Sequence, residues 1–245
     1  MGDLLHFSKQ VPSVPMQRRM NLAPLVAARQ ALAERVGWSV IFLKAYALVS
    51  AERAELRRSY LKWPAPHFYE HAYSVACLAV EREYQGESCV FYAKIARPEI
   101  RRLQELEDSV GDHKTAPIES IAPFRHALRL GSLPWPLRRL AWSFGLNLSG
   151  AHRGRMFGTF GMSVVAARGA AGLHLLSPLT TTINYGPFDD EGSLDVRLVY
   201  DHRVVDGGTV ALALSALERT LLGPILNELE GLADRTSCAP AGWHG

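Results

Sequence analysis

Residues 200–208 read Tyr-Asp-His-Arg-Val-Val-Asp-Gly-Gly. They set one imidazole, His202, between Asp201 and Arg203, with a second carboxylate, Asp206, four positions on and Gly207 and Gly208 behind it. A histidine with a neutral ring and a fixed tautomer can take a proton from a thiol, amine or hydroxyl near neutral pH. A bare His-x-x-x-Asp pattern arises by chance in many chains, so its surroundings decide its meaning. Here it falls where the β-rich run LDVRLVY (194–200) gives way to DGGTVALALSALERTLLG (206–223), an amphipathic helix with Gly223 at its end. A strand end fixes the backbone, and the two glycines withhold the Cβ atoms that would crowd a ligand or a sharp turn.

The elements that must position this turn follow from periodicity. Apolar residues at three-to-four spacing predict helices over 23–36 and 39–56, the second apolar enough to be buried. Residues 73–83 and 88–96, separated by a Gly-containing turn, predict a pair of antiparallel strands. A helix is expected from Pro98 to Gly111, with proline in its first turn. Strands resume in FGTFGMSVV (157–165), TTTINYGPF (180–188) and LDVRLVYDH (194–202). No repeat or long linker divides the chain, which predicts one domain over 1–232 and a flexible tail over 233–245.

Composition excludes several classes of function. The chain has 245 residues, 48% of them hydrophobic, and a net charge of +3, so it can bury a sizeable core and its totals demand neither nucleic acid nor a strongly acidic partner. Cys77, Cys89 and Cys238 form no pair or cluster at metal-ligand spacing, and their odd number argues against a disulfide framework. No metal and a cytoplasmic location are the expectations. There is no uncharged apolar run of 18 residues and no leader-like start, which predicts a soluble protein.

Residues 114–156 differ in kind, being rich in Arg, Trp and Leu with Glu119 as their single acidic residue. Such a mixture suits a peripheral contact with a lipid surface through 124–148, with Trp135, Leu137, Leu140, Trp142 and Phe144 toward lipid and Arg129, Arg138 and Arg139 toward phosphates. A basic helix packed over a subunit interface has the same composition.

The string DHRVVDG (201–207) resembles the signature of the 2-oxo acid dehydrogenase acyltransferases (E2), whose catalytic domain is similar to chloramphenicol acetyltransferase. Order along the chain supports the likeness. SKQVPSVPMQRRMNLAPLVAARQ resembles the family's early strand and helix, SVIFLKAYALV its next helix, GTFGMS (158–163) its Gly-Thr-Phe-Thr-Ile-Ser segment, and SPLTTTINYG (177–186) its Asn-Pro-Pro-Gln strand. The likeness runs from about residue 8 to 229. It implies an α/β two-layer sandwich with a mixed sheet, assembled as a homotrimer whose active site lies between subunits. It implies a transferase moving an acyl group between coenzyme A and a thiol, amine or hydroxyl acceptor. His202 is then the general base, Ser163 the hydroxyl that meets the oxyanion, and Asp206 a largely structural carboxylate that pairs with an arginine. Gly207 matches the turn glycine, and Asp201 with Arg203 reads as salt-bridge scaffolding of the loop.

Departures bear on the substrate. No lipoyl domain is seen before the catalytic region, so no covalently bound lipoyl group is expected, and a dehydrogenase core served by a lipoyl domain in trans stands as the alternative. A catalytically silent trimeric scaffold is a second alternative, opposed by the retention of His202 and Ser163. Peptide-synthetase condensation domains need two copies of such a fold and about twice the length. The family's upstream arginine has no counterpart here, leaving Arg203, Arg18 and Arg19 as candidate partners of Asp206. Val164-Val165-Ala166 replaces the family's Asn-Leu-Gly, and Ser177-Pro178-Leu179-Thr180 its Asn-Pro-Pro-Gln.

Overall fold

The computed structural model describes residues 2–237. Six strands build the main sheet: β1 (Ser13–Asn21), β4 (Val75–Tyr84), β5 (Glu87–Ala96), β6 (Phe160–Met162), β7 (Thr181–Tyr185) and β8 (Ser193–Asp201). Their order is β1-β8-β7-β6-β4-β5, with β4–β6 and β6–β7 parallel and the other pairs antiparallel, so the sheet is mixed. A small second sheet pairs β2 (Arg58–Leu61) with β3 (His67–Glu70). The hairpin between β4 and β5 turns on Gln85 (φ 54°) and Gly86 (φ 81°), two consecutive left-handed residues that match the twist of a two-residue loop.

One face of the sheet is apolar. Phe160, Met162, Ile183, Leu198 and Tyr200 point from it into a core shared with α2 (Ala23–Gln30), α3 (Trp38–Glu52), α4 (Leu103–Thr115), α8 (Gly207–Thr220) and α9 (Leu226–Ser237). Helix α3 is buried almost all round because the sheet lies on one side and α4 and α8 on others. Its Tyr46 donates a 2.8 Å hydrogen bond to Thr181 Oγ1 from full burial, so the phenol is not left unpaired in the core. Lys44 of α3 forms a close ion pair with Glu228 of α9, whose other oxygen accepts from the Leu103 backbone N–H at 2.8 Å and so caps α4. The helical run Gly207–Asp234 is long and apolar enough to cross a membrane, but Val210, Leu214, Leu217, Leu221, Ile225 and Leu229 spend that hydrophobicity on this core.

Helix boundaries depart from periodicity where tertiary contacts intervene. α2 stops at Gln30 rather than residue 36, because the chain turns so that Arg29 donates to Val36 O at 2.5 Å and Gly37 N–H to Glu107 at 2.6 Å. α3 ends at Glu52 and passes into a short 3₁₀ turn. Pro98 opens only a 3₁₀ turn, and the helix proper runs from Leu103 to Thr115. Ala233 to Ser237 of the expected tail continue α9, while Cys238 and the rest of the tail lie outside the described residues.

The divergent segment forms three helices, α5 (Ala122–Gly131), α6 (Trp135–Asn147) and α7 (Gly150–Phe157). α5 packs on β5 and α6 on α7, so residues 124–148 part onto different supports. Three residues expected to face lipid or phosphate make internal contacts, Arg139 reaching Asp3 at 3.7 Å. Trp142 stacks on Phe7 at 5.8 Å and meets Phe157 at 4.9 Å, and Arg138 pairs with the buried Asp3 of α1 (Gly2–Ser8).

Candidate active site

At the end of β8 the backbone turns sharply: the N–H groups of Val204 and Val205 both donate to Asp201 O, at 3.0 and 3.1 Å. The His202 N–H donates to Pro12 O at 3.1 Å, which ties the turn to the start of β1. The imidazole itself is exposed, with the Tyr200 ring 5.7 Å away. Asp201 is buried and grips Arg203 with both oxygens, Nε–Oδ1 at 2.9 Å and Nη2–Oδ2 at 2.7 Å, while its Oδ1 also accepts the Arg203 backbone N–H at 3.0 Å. The Arg203 guanidinium lies 4.4 Å over the Tyr60 ring.

Arg153 of α7 is the cation that composition did not mark as structural. It is buried and donates to the carbonyls of Tyr60 and Pro178, both at 2.7 Å, and Leu146 at 3.2 Å. Burial pushes its guanidinium down to about 10, partly opposed by the negative charge of Asp201. Arg203 thus ties the loop behind His202 to Tyr60 of β2, while Arg153 joins β2, α6 and the 177–180 segment within the field of Asp201.

Asp206 is exposed and caps α8, accepting the Thr209 N–H at 2.7 Å. That bond holds its carboxyl below the usual range, with the nearby His202 a minor contributor. The expected arginine partner is replaced by this cap. Arg203 is committed to Asp201, Arg18 to Glu218 at 2.7 Å, and Arg19 to Asp189 and Asp195. Gly207 is the first residue of α8 and no positive φ requires it; a Cβ there would touch Met16 and Tyr200 at an ordinary 3.4 Å.

Ser163 follows β6, its N–H donating to Ile183 O at 3.3 Å. Gly158 has φ +89°, and a Cβ there would meet Val75 O at 2.9 Å, so the segment's first position needs glycine. Alternation then turns Gly161 and Ser163 to the sheet face opposite the core. Across that face, Lys94, Cys77, Gly161 and Thr182 form one row, and Tyr92, Ser163, Asn184 and Arg197 the next. Between this face and α5–α7 lies a cavity of about 190 Å³ whose lining includes Ser163 and Thr182 but not His202. Sequence reasoning named Ser163 here and missed Thr182, Lys94 and Tyr92.

Register separates the two candidate groups within one chain. Ser163 is level with Asn184 of β7 and hence with Arg197 of β8, two strands away, and His202 lies five residues farther along β8. Rises of roughly 3.3 Å per residue and spacings of roughly 4.8 Å per strand put their backbones on the order of 20 Å apart. Neither side chain spans that gap.

No protein-family model and no curated protein matches the chain. Solved structures do. A probable dihydrolipoamide acetyltransferase from Listeria monocytogenes is 16% identical with a TM-score of 0.61, covering 90% of this chain and 89% of its own. The Azotobacter vinelandii dihydrolipoamide acetyltransferase is 18% identical with a TM-score of 0.62, covering 92% and 88%. A chloramphenicol acetyltransferase is 11% identical with a TM-score of 0.51, covering 89% and 92%. The chain therefore has the α/β fold of the chloramphenicol acetyltransferase-like enzymes, and within it that of the dihydrolipoamide acetyltransferases. In the Azotobacter enzyme a serine, a histidine and an asparagine are tied to the catalytic mechanism.

Proposed function

We propose that this chain is a cytoplasmic coenzyme A-dependent acyltransferase that works as a homotrimer, with His202 of one copy and Ser163 of the next acting on the same thioester. The observation that carries the reading is the separation of Ser163 from His202 by five residues and two strands on one sheet. A site built from both requires a second copy, and the exposed imidazole is free to meet one.

In the forward step His202 takes the proton of the acceptor's thiol, amine or hydroxyl, and the freed lone pair attacks the thioester carbonyl carbon. The carbonyl oxygen becomes an oxyanion that accepts from the Ser163 hydroxyl; one such donor contributes ~3 kcal/mol in the transition state. The carbon–sulfur bond breaks, and the coenzyme A thiolate leaves with the proton returned by the imidazolium. A lipoyl thiol brought by a separate domain serves as acceptor with the same steps, which keeps a dehydrogenase-complex core as the alternative. The test is thiol release from acyl-CoA in the presence of candidate acceptors, with His202→Ala as the control. Release lost in that variant supports the reading, and release within tenfold of wild type contradicts it and favours a scaffold.

A second reading, contact with a lipid surface, draws on Leu137, Leu140, Phe144 and Leu148, an exposed apolar stripe at helical spacing along α6 beside Trp135. Sedimentation with anionic vesicles tests it, with loss expected on Leu137→Glu plus Leu140→Glu.

A further inference from the structure

We infer that the cavity between the second face of the sheet and α5–α7 seats an apolar acyl chain of about six carbons or more, with its carbonyl end at Ser163. This rests on acyl transfer at that site and names its substrate class.

The cavity exceeds the ~150 Å³ apolar void that takes a benzene-sized ligand, so acetyl alone leaves most of it unfilled. Its walls are hydrocarbon and thioether: Leu130, Trp142, Met156, Phe157, Leu175 and Leu179. Polar side chains lie mainly on the sheet floor, with His126 of α5 and Ser177 at the rim. On the floor Thr182 is 5% exposed and its hydroxyl has no hydrogen-bond partner among the described residues. A Cβ at Gly161 would come within 2.8 Å of Thr182 Oγ1, so glycine is needed beside that covered hydroxyl. Ser163, two residues on, lines the same space.

Burial lowers the Lys94 ammonium, and it pushes the Cys77 thiol opposite up to about 11. Hydrocarbon is the occupant such surroundings favour, the Lys94 stem lying along the chain. Helices α5–α7, where the likeness to E2 sequences lapses, supply most of the roof, so the chain's departure from that pattern and this cavity coincide.

Equilibrium binding of acetyl-, hexanoyl-, octanoyl- and adipoyl-CoA to the full chain, followed by tryptophan fluorescence or calorimetry, tests the assignment without turnover. Each methylene from acetyl to hexanoyl is expected to tighten binding roughly three- to fourfold. Ala127→Trp fills the cavity from an exposed position on α5, so folding is little perturbed. It should weaken octanoyl-CoA at least tenfold and move the preference to shorter chains. Flat affinity from acetyl to octanoyl, tighter binding of adipoyl-CoA than octanoyl-CoA, or no effect of Ala127→Trp overturns the inference. Graded binding with no transfer to any acceptor would remove the acyltransferase reading and leave the chain pocket standing. Transfer with flat binding would do the reverse.

Discussion

Asp201 and Arg203 close a two-pronged ion pair, at 2.9 and 2.7 Å, directly around the residue that projects the imidazole between them, His202. With Asp201 buried and the Arg153 guanidinium also buried nearby, the carboxylate is the charge that both cations depend on. Removing one partner of such a cluster leaves the others uncompensated, which costs more than the pair itself contributes. Asp201→Asn should therefore lower unfolding stability by on the order of 3 kcal/mol, read as a shift in urea midpoint at constant slope. Arg203→Met added to Asp201→Asn should cost much less than the sum of the two single changes. Additive losses would mean that the pair is not coupled.

The Asp206 carboxylate meets the Thr209 N–H and not an arginine, which makes its role that of a helix cap. Asp206→Ala should cost about 1 kcal/mol of stability, while Asp206→Ser and Asp206→Asn should stay within a few tenths of wild type. Acyl transfer should fall by less than tenfold in all three. A hundredfold loss in Asp206→Asn, with stability unchanged, would assign the carboxylate to the chemistry instead.

Acid stability should carry the signature of His71. Its ring accepts or donates at 2.9 Å to Ser59 Oγ and packs against Gly154, where burial, and then the charges of Arg153 and Arg57, push it down from 6.5 to about 4. Between those values the unfolded chain binds a proton that the folded chain refuses, so stability rises with pH there. The contribution is full above about pH 6.5 and is lost progressively as pH falls toward 4. His71→Asn should flatten the urea-midpoint profile across that window; an unchanged slope would mean the ring is protonated in the fold.

The strand-to-helix turn at 201–207 was legible because a β-branched and aromatic run ends at a capping aspartate before a helical repeat, all of it local. The β4–β5 hairpin was legible for the same reason, since Gly86 supplies a left-handed turn position. Thr182, Lys94 and Tyr92 were not, because each is an ordinary strand residue until the order β7-β6-β4-β5 lays them on one face. Composition marked 114–156 as amphipathic but held no information on partners. Asp3, 135 residues away, claims Arg138, and Phe7 claims Trp142. The end of α2 failed likewise, because its apolar spacing runs on through Leu32 and Val36 after the helix has stopped.

The most direct test of a site shared between copies is complementation between two inactive chains. Ser163→Ala should lower turnover ~10²-fold through loss of the oxyanion donor, and His202→Ala should abolish it, each leaving assembly intact. Mixing the two after subunit exchange should restore transfer above either variant alone, because some interfaces then join an intact His202 to an intact Ser163. Exchange demonstrated by mass spectrometry with no recovered activity would contradict the account.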